Sequence, residues 1–114
     1  MRRLLILPIL VVAALLVGVS PAAAKTRSVS IGDDFFVRSS GVPTVKVKKG
    51  VTVKWRWTGR DQHNVVVQNG PTSFQSPLKT SGSYKKKMTK KGTYTIICSI
   101  HAPDMRMKIK VKQP

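Results

Sequence analysis

From Val45 to Trp57, and again from Met105 to Lys112, apolar and polar residues alternate with a period of two. A β-strand turns successive side chains to opposite faces, so this rhythm describes ribbons with one face in a core and the other in water. Val45 and Val47 alternate with Lys46 and Lys48. Lys49-Gly50 marks a turn, after which Val51, Val53, Trp55 and Trp57 alternate with Thr52, Lys54 and Arg56. In the last segment Met105, Met107, Ile109 and Val111 face one way, and Arg106, Lys108, Lys110 and Lys112 face the other. No stretch after Lys25 carries the period of a helix, so the chain reads as all-β.

The remaining runs are shorter. Thr93 to Cys98 follows a turn at Lys91-Gly92 and places Tyr94, Ile96 and Cys98 on one face, so the thiol is expected to point inward from a strand end. His63, Val65 and Val67 share a face on a run that begins after Gly59-Arg60-Asp61-Gln62. With Val29 to Ile31, Phe35 to Val37 and Ser83 to Met88 the count reaches about seven or eight strands, the number of a small β-sandwich. Asn69 to Ser81, rich in Pro, Ser, Thr and Gly, is expected to be a surface crossover loop.

Residues 1–24 follow another logic. Arg2 and Arg3 precede an apolar run from Leu4 to Val19, which ends in Ser20, Pro21 and three alanines. That is the layout of a secretory signal peptide with an Ala-x-Ala cleavage site, and cutting after Ala24 leaves one domain of residues 25–114. An uncleaved membrane anchor is the alternative, but Pro8 interrupts the run and its length is short for a bilayer crossing. The expected destination is a periplasm or the cell exterior, with no stable membrane insertion after cleavage.

The chain carries 21 Lys and Arg against four acidic residues, a formal charge of +17 that becomes +15 when Arg2 and Arg3 leave with the leader. Such a field draws acidic proteins, anionic membrane surfaces or nucleic acid. No RNA-binding or helix-turn-helix signature is visible, and export argues against a nucleic-acid partner. Lys85, Lys86, Lys87, Lys90 and Lys91 are expected to form a solvated face. A small sandwich so highly charged is expected to be a monomer.

An exported chain with one cysteine cannot close an internal disulfide, so Cys98 needs another explanation. Downstream lie His101 and Met105, and the chain's other histidine is His63. A thiolate, two imidazoles and a thioether form a soft, mixed donor set; two histidines and a cysteine with a long axial methionine is the blue-copper pattern. Cys98 ends one strand, His101 follows in a tight loop and Met105 begins the next strand, so three ligands come from one hairpin connection. His63 must then come from a strand packed beside it. Taken singly, His63 could be structural, Cys98 a small buried apolar residue, and Met105 and Met107 plain core. Those separate explanations leave out that the only cysteine and the only two histidines fall together with a suitably placed methionine.

Gln62-His63-Asn64-Val65-Val66, then Gly92-Thr93-Tyr94-Thr95-Ile96-Ile97-Cys98-Ser99-Ile100-His101 and Met105, resemble the copper-site segments of plastocyanin, pseudoazurin and amicyanin, the small cupredoxins. The resemblance implies a cupredoxin-like Greek-key β-sandwich holding one type 1 copper, with His63, Cys98 and His101 as equatorial ligands and Met105 as the axial one. It also implies that the Asn64 backbone N–H donates to the copper-bound sulfur. Ala102-Pro103-Asp104 separates His101 from Met105, one residue fewer than in plastocyanin and pseudoazurin and one more than in amicyanin. Met107 competes for the axial position but would need a longer loop. Measured from Met105, Ile109 and Val111 fall where the family's final-strand valines lie, which favours Met105.

The function implied is that of a one-electron carrier between redox partners, without enzymatic activity. In that family the loop histidine reaches the surface inside an apolar patch, and Ile100, Ala102 and Pro103 flank His101 here. The positive charge then favours an acidic redox partner. A periplasmic copper sequestration or delivery protein is the alternative, although no methionine- or histidine-rich tract is present to capture further ions. A thiol or zinc hydrolase fits less well, since zinc rarely takes a methionine and no general base stands out. A metal-free basic binding module ranks below these.

Overall fold

The computed structural model describes residues 25–114; the expected leader and cleavage site lie outside the described residues. Eight strands pack as two four-stranded sheets, with no helix among the described residues. The first sheet contains β1 (Thr26–Gly32), β2 (Phe35–Phe36), β4 (Thr52–Trp57) and β6 (Ser83–Lys87), in the order β2-β1-β4-β6. The second contains β3 (Thr44–Lys48), β5 (Val66–Asn69), β7 (Gly92–Ile97) and β8 (Arg106–Lys112), in the order β3-β8-β7-β5. This is the expected all-β sandwich.

The alternation read from the sequence is the burial pattern of the strands. In β8, Met107, Ile109 and Val111 are buried while Arg106, Lys108, Lys110 and Lys112 are exposed. Val29, Ile31, Val53 and Trp55 of one sheet meet Val45, Tyr94, Ile96 and Ile109 of the other in a single core. Full burial of each large apolar side chain contributes about 1.5–3 kcal/mol, so the core holds the two sheets face to face.

Pairing departs from what alternation can tell. The Lys49-Gly50 turn makes no hairpin: β3 pairs in parallel with β8, while β4 lies between β1 (parallel) and β6 (antiparallel). The turn therefore carries the chain from one sheet to the other. The run from Phe35 to Val37 shortens to β2 because Val37 takes a positive φ of 68°, which breaks an extended path. The segment from Asn69 to Ser81 is more than a surface loop. Gln75 bridges to Val66 and Lys79 to His63, and the buried Ser76 hydroxyl accepts the Val65 N–H.

Candidate metal centre

β7 and β8 pair antiparallel as far as Ile97 and Arg106, and the connection between them is drawn into a compact loop. The Cys98 N–H donates to the Met105 carbonyl at 3.2 Å, the His101 N–H to the Cys98 carbonyl at 3.2 Å, and the Met105 N–H to the His101 carbonyl at 3.1 Å. Cys98 thus lies just beyond β7 and Met105 just before β8, rather than inside the strands. β5 flanks β7 with Val66 opposite Ile97, so His63, which precedes β5, arrives beside Cys98. Its backbone is clamped: N–H and C=O both pair with Lys79 at 3.0 Å, and the carbonyl also accepts the Trp57 indole N–H at 3.0 Å.

Cys98 Sγ lies 3.5 Å from His101 Nδ1 and 3.9 Å from His63 Nδ1. Two bonds of about 2.0–2.3 Å meeting at one ion span such separations, so the three donors fit a first-row metal. Cys98 and His63 are fully buried, while His101 is half-buried. Met105 is buried and, with His101, Asp34, Ala102 and Asp104, lines an open cavity of about 330 Å³. Met107 is buried one step along the ladder, opposite Ile96.

The sequence reading missed Asp33 and Asp34. Asp33 Oδ1 accepts from His63 Nε2 at 2.9 Å and from the Asp61 N–H at 2.9 Å, and its Oδ2 accepts the Arg60 N–H at 2.8 Å. The Arg60 N–H, the His63 side chain and the Asp61 N–H, in that order, lower the Asp33 pKa to about 2. A carboxylate so firmly ionised holds the proton on Nε2 and leaves the Nδ1 lone pair facing Cys98. Gly59 packs so closely on this carboxylate that a Cβ would overlap it. Asp34 Oδ1 lies 3.3 Å from His101 Nε2, so both histidines back onto aspartates.

Asn64 ties the two segments that carry the candidate donors together. Its side-chain amide donates to Ser99 Oγ at 2.8 Å and its side-chain carbonyl accepts the Ser99 N–H at 2.8 Å. The residue flanking His63 is therefore bonded to the residue flanking Cys98.

The sequence profile of the copper binding proteins, plastocyanin/azurin family, matches residues 36–112. Among solved structures, the chain is similar to a proline-to-alanine variant of amicyanin in its oxidized state, with 30% identity over 81% of this chain and 87% of that one and a TM-score of 0.62. It is similar to a methionine-to-glutamine variant of amicyanin with Cu(I), with 28% identity over 81% and 87% of the two chains and a TM-score of 0.62. It is also similar to a copper-containing nitrite reductase from Thermus scotoductus SA-01, with 28% identity over 76% of this chain and a TM-score of 0.62, but it spans 22% of that enzyme's chain. The sandwich is thus cupredoxin-like, and a thiolate with two imidazoles is a donor set that copper takes. The chain belongs to the plastocyanin/azurin family of copper binding proteins, and its group of His63, Cys98 and His101 points to one copper site.

Proposed function

We propose that the protein is an exported one-electron carrier in which His63, Cys98 and His101 hold copper equatorially and Met105 holds it axially. Bound copper supplies a Cu(I)/Cu(II) couple. The observation that carries this reading is that the donors are held by the protein itself: Asp33 orients His63, loop hydrogen bonds fold Cys98, His101 and Met105 together, and Asn64 joins the two segments. A site fixed in this way changes little between oxidation states, which favours electron transfer. Related amicyanins have been solved in oxidized and Cu(I) forms, which supports the same cycling here.

The remaining residues divide the work. Burial of Cys98 shields the thiolate from solvent and from other thiols. His101 offers the half-exposed edge through which a partner is reached. Beside it Ile100, Ala102 and Pro103 are exposed and apolar, a surface on which a redox partner can dock and shed water. The net positive charge draws an acidic partner from a distance, and the domain works as a monomer. The loop's thiol, Cys98, is fully buried, which favours a metal-holding role for it over attack on a substrate. The signal peptide, cleaved after Ala24, delivers the domain to a periplasm or the cell exterior.

The open cavity beside His101 favours one alternative, copper delivery to an acceptor protein. Stopped-flow oxidation of the Cu(I) protein, run beside transfer of Cu(I) to a chelator, separates the two. Fast, reversible electron exchange with slow copper loss is expected. Rapid copper release with sluggish oxidation would assign delivery instead.

A further inference from the structure

The acidic residues are confined to one end of the sandwich, where Arg60, Lys79 and Arg106 accompany them, while the other end is cationic alone. All four acidic residues of the chain lie in loops at the copper end: Asp33 and Asp34 back the two histidines, Asp61 adjoins Asp33, and Asp104 lines the cavity beside His101. At the opposite end the turns converge. The Lys49 N–H donates to the Lys112 carbonyl at 2.7 Å, the Gly50 N–H to the Met88 carbonyl at 2.7 Å and the Thr52 N–H to the Lys25 carbonyl at 3.0 Å. These bonds gather Lys25, Lys48, Lys49, Lys90, Lys91 and Lys112 at one pole, and all six are exposed. Among the described residues no lysine or arginine makes an ion pair, since every acid–base contact there is between a histidine and an aspartate.

Crowding like charges opposes folding, and nothing inside the domain offsets it. Lys48 stands directly opposite Lys112 across β3 and β8. The pole is also concave. A cavity of about 290 Å³ opens there between β1 and β3, and its cationic lining is Lys25, Arg27, Lys46 and Lys48. A cationic rim around a cavity is complementary to a phosphodiester headgroup, and turns spread across the end of a sandwich suit a planar array of them. The chain enters the domain at this pole, at Lys25, separated by five residues from the apolar run from Leu4 to Val19.

We propose that the lysine pole docks on an anionic phospholipid surface and leaves the copper end, with its apolar rim around His101, pointing away from it, toward a redox partner. Exposed lysines near such a surface act nearly independently, each changing affinity about fivefold. The test is sedimentation of the purified protein with phosphatidylcholine vesicles, with and without phosphatidylglycerol. Binding is expected only to the anionic vesicles, weakening as salt rises. Lys48→Gln/Lys49→Gln and Lys90→Gln/Lys91→Gln should each lose about 25-fold, two charges' worth. Lys54→Gln/Lys85→Gln, which removes the same charge from a neighbouring strand pair, should lose much less, and arginine at the pole positions should restore binding.

Equal losses from the pole and from Lys54 and Lys85 would reduce the effect to net charge and overturn the assignment, as would no binding to anionic vesicles. Retained vesicle binding in the pole variants, with loss of binding to an acidic soluble protein, would reassign the pole to a protein partner. For orientation, an Ile100→Cys thiol at the copper end should react with a soluble maleimide equally fast on and off vesicles. Protection there would overturn it. Because Lys48, Lys49, Lys90 and Lys91 are exposed, thermal melts of the pole variants should match the parent or exceed it, and the melt of the Lys54→Gln/Lys85→Gln control, whose Lys54 is half-buried, is read beside them.

Discussion

Asp33 Oδ1 sits 2.9 Å from Nε2 of His63, a bond made across 30 residues of sequence and between the two sheets of the sandwich. Asp33 follows β1 in one sheet, and His63 precedes β5 in the other. The same carboxylate is gripped by two successive backbone N–H groups, so it is held whether or not the histidine binds anything. A proton fixed on Nε2 makes Nδ1 the only nitrogen of that ring free to accept a metal.

Removing this support should weaken the site without removing a ligand. Asp33→Ala is expected to lower copper affinity by roughly 10–100-fold, the usual effect of losing a ligand's outer hydrogen bond. It should also raise the reduction potential, because a negative charge near the ion favours the more positive oxidation state. Gly59→Ala should act in the same direction, since its added methyl group would displace the carboxylate. Competition titration with a chelator and voltammetry measure the two effects. An unchanged potential in Asp33→Ala would show that the carboxylate has no electrostatic hold on the copper.

Acid should reveal the same contact in metal-free protein. Asp33 ionises at about 2 in the folded chain against an ordinary value of 3.8, so the folded state binds its proton less readily. The resulting stabilisation is complete above the ordinary value, shrinks as pH falls toward about 2, and is gone below that. The gap in melting temperature between the parent and Asp33→Asn should therefore be widest above about pH 4 and should close near pH 2. A gap independent of pH over that range would point to packing rather than charge.

Asn64→Ala tests the link between the two ligand-bearing segments. Asn64 is 3% exposed, and its loss leaves the Ser99 N–H without its acceptor. Ser99 is exposed and its N–H can turn to water, so the expected destabilisation is that of the lost hydrogen bond, about 0.5–1.5 kcal/mol. The link also holds the start of the ligand loop, so copper dissociation should accelerate in the same variant. Denaturant melts and chelator-driven release read the two effects separately.

How much of this was legible in the sequence depended on distance along the chain. Cys98, His101 and Met105 are close enough that strand and loop geometry alone bring them together, and alternation marked which residues face the core. His63 was legible because it is one of only two histidines. Asp33 and Asp34 were not, because an exposed aspartate pair carries no periodic signal and its partners lie in loops of other strands. The same limit hid the parallel pairing of β1 with β4: a period of two says which face is wet, not which strand lies alongside. The Gln75 and Lys79 bridges were hidden by composition, since a segment rich in Pro, Ser and Gly reads as loop even where two of its residues pair.

Met105 and Met107 are both buried and two residues apart, which makes them a matched pair for identifying the axial donor. Their positions predict different outcomes from the same substitution. Leucine keeps most of methionine's volume, so either change should cost less than about 1.5 kcal/mol in folding. Met105 shares the cavity wall with His101 and is bonded through its backbone to both His101 and Cys98. Met105→Leu should therefore shift the reduction potential and alter the visible band while the protein still binds one copper. Met107 sits opposite Ile96 within the ladder, and Met107→Leu should leave both properties as they were. Cys98→Ser provides the reference, since losing the thiolate should abolish the intense blue absorption altogether. If Met107→Leu moved the potential and Met105→Leu did not, the axial assignment would pass to Met107, and the loop from His101 would have to be read as two residues longer.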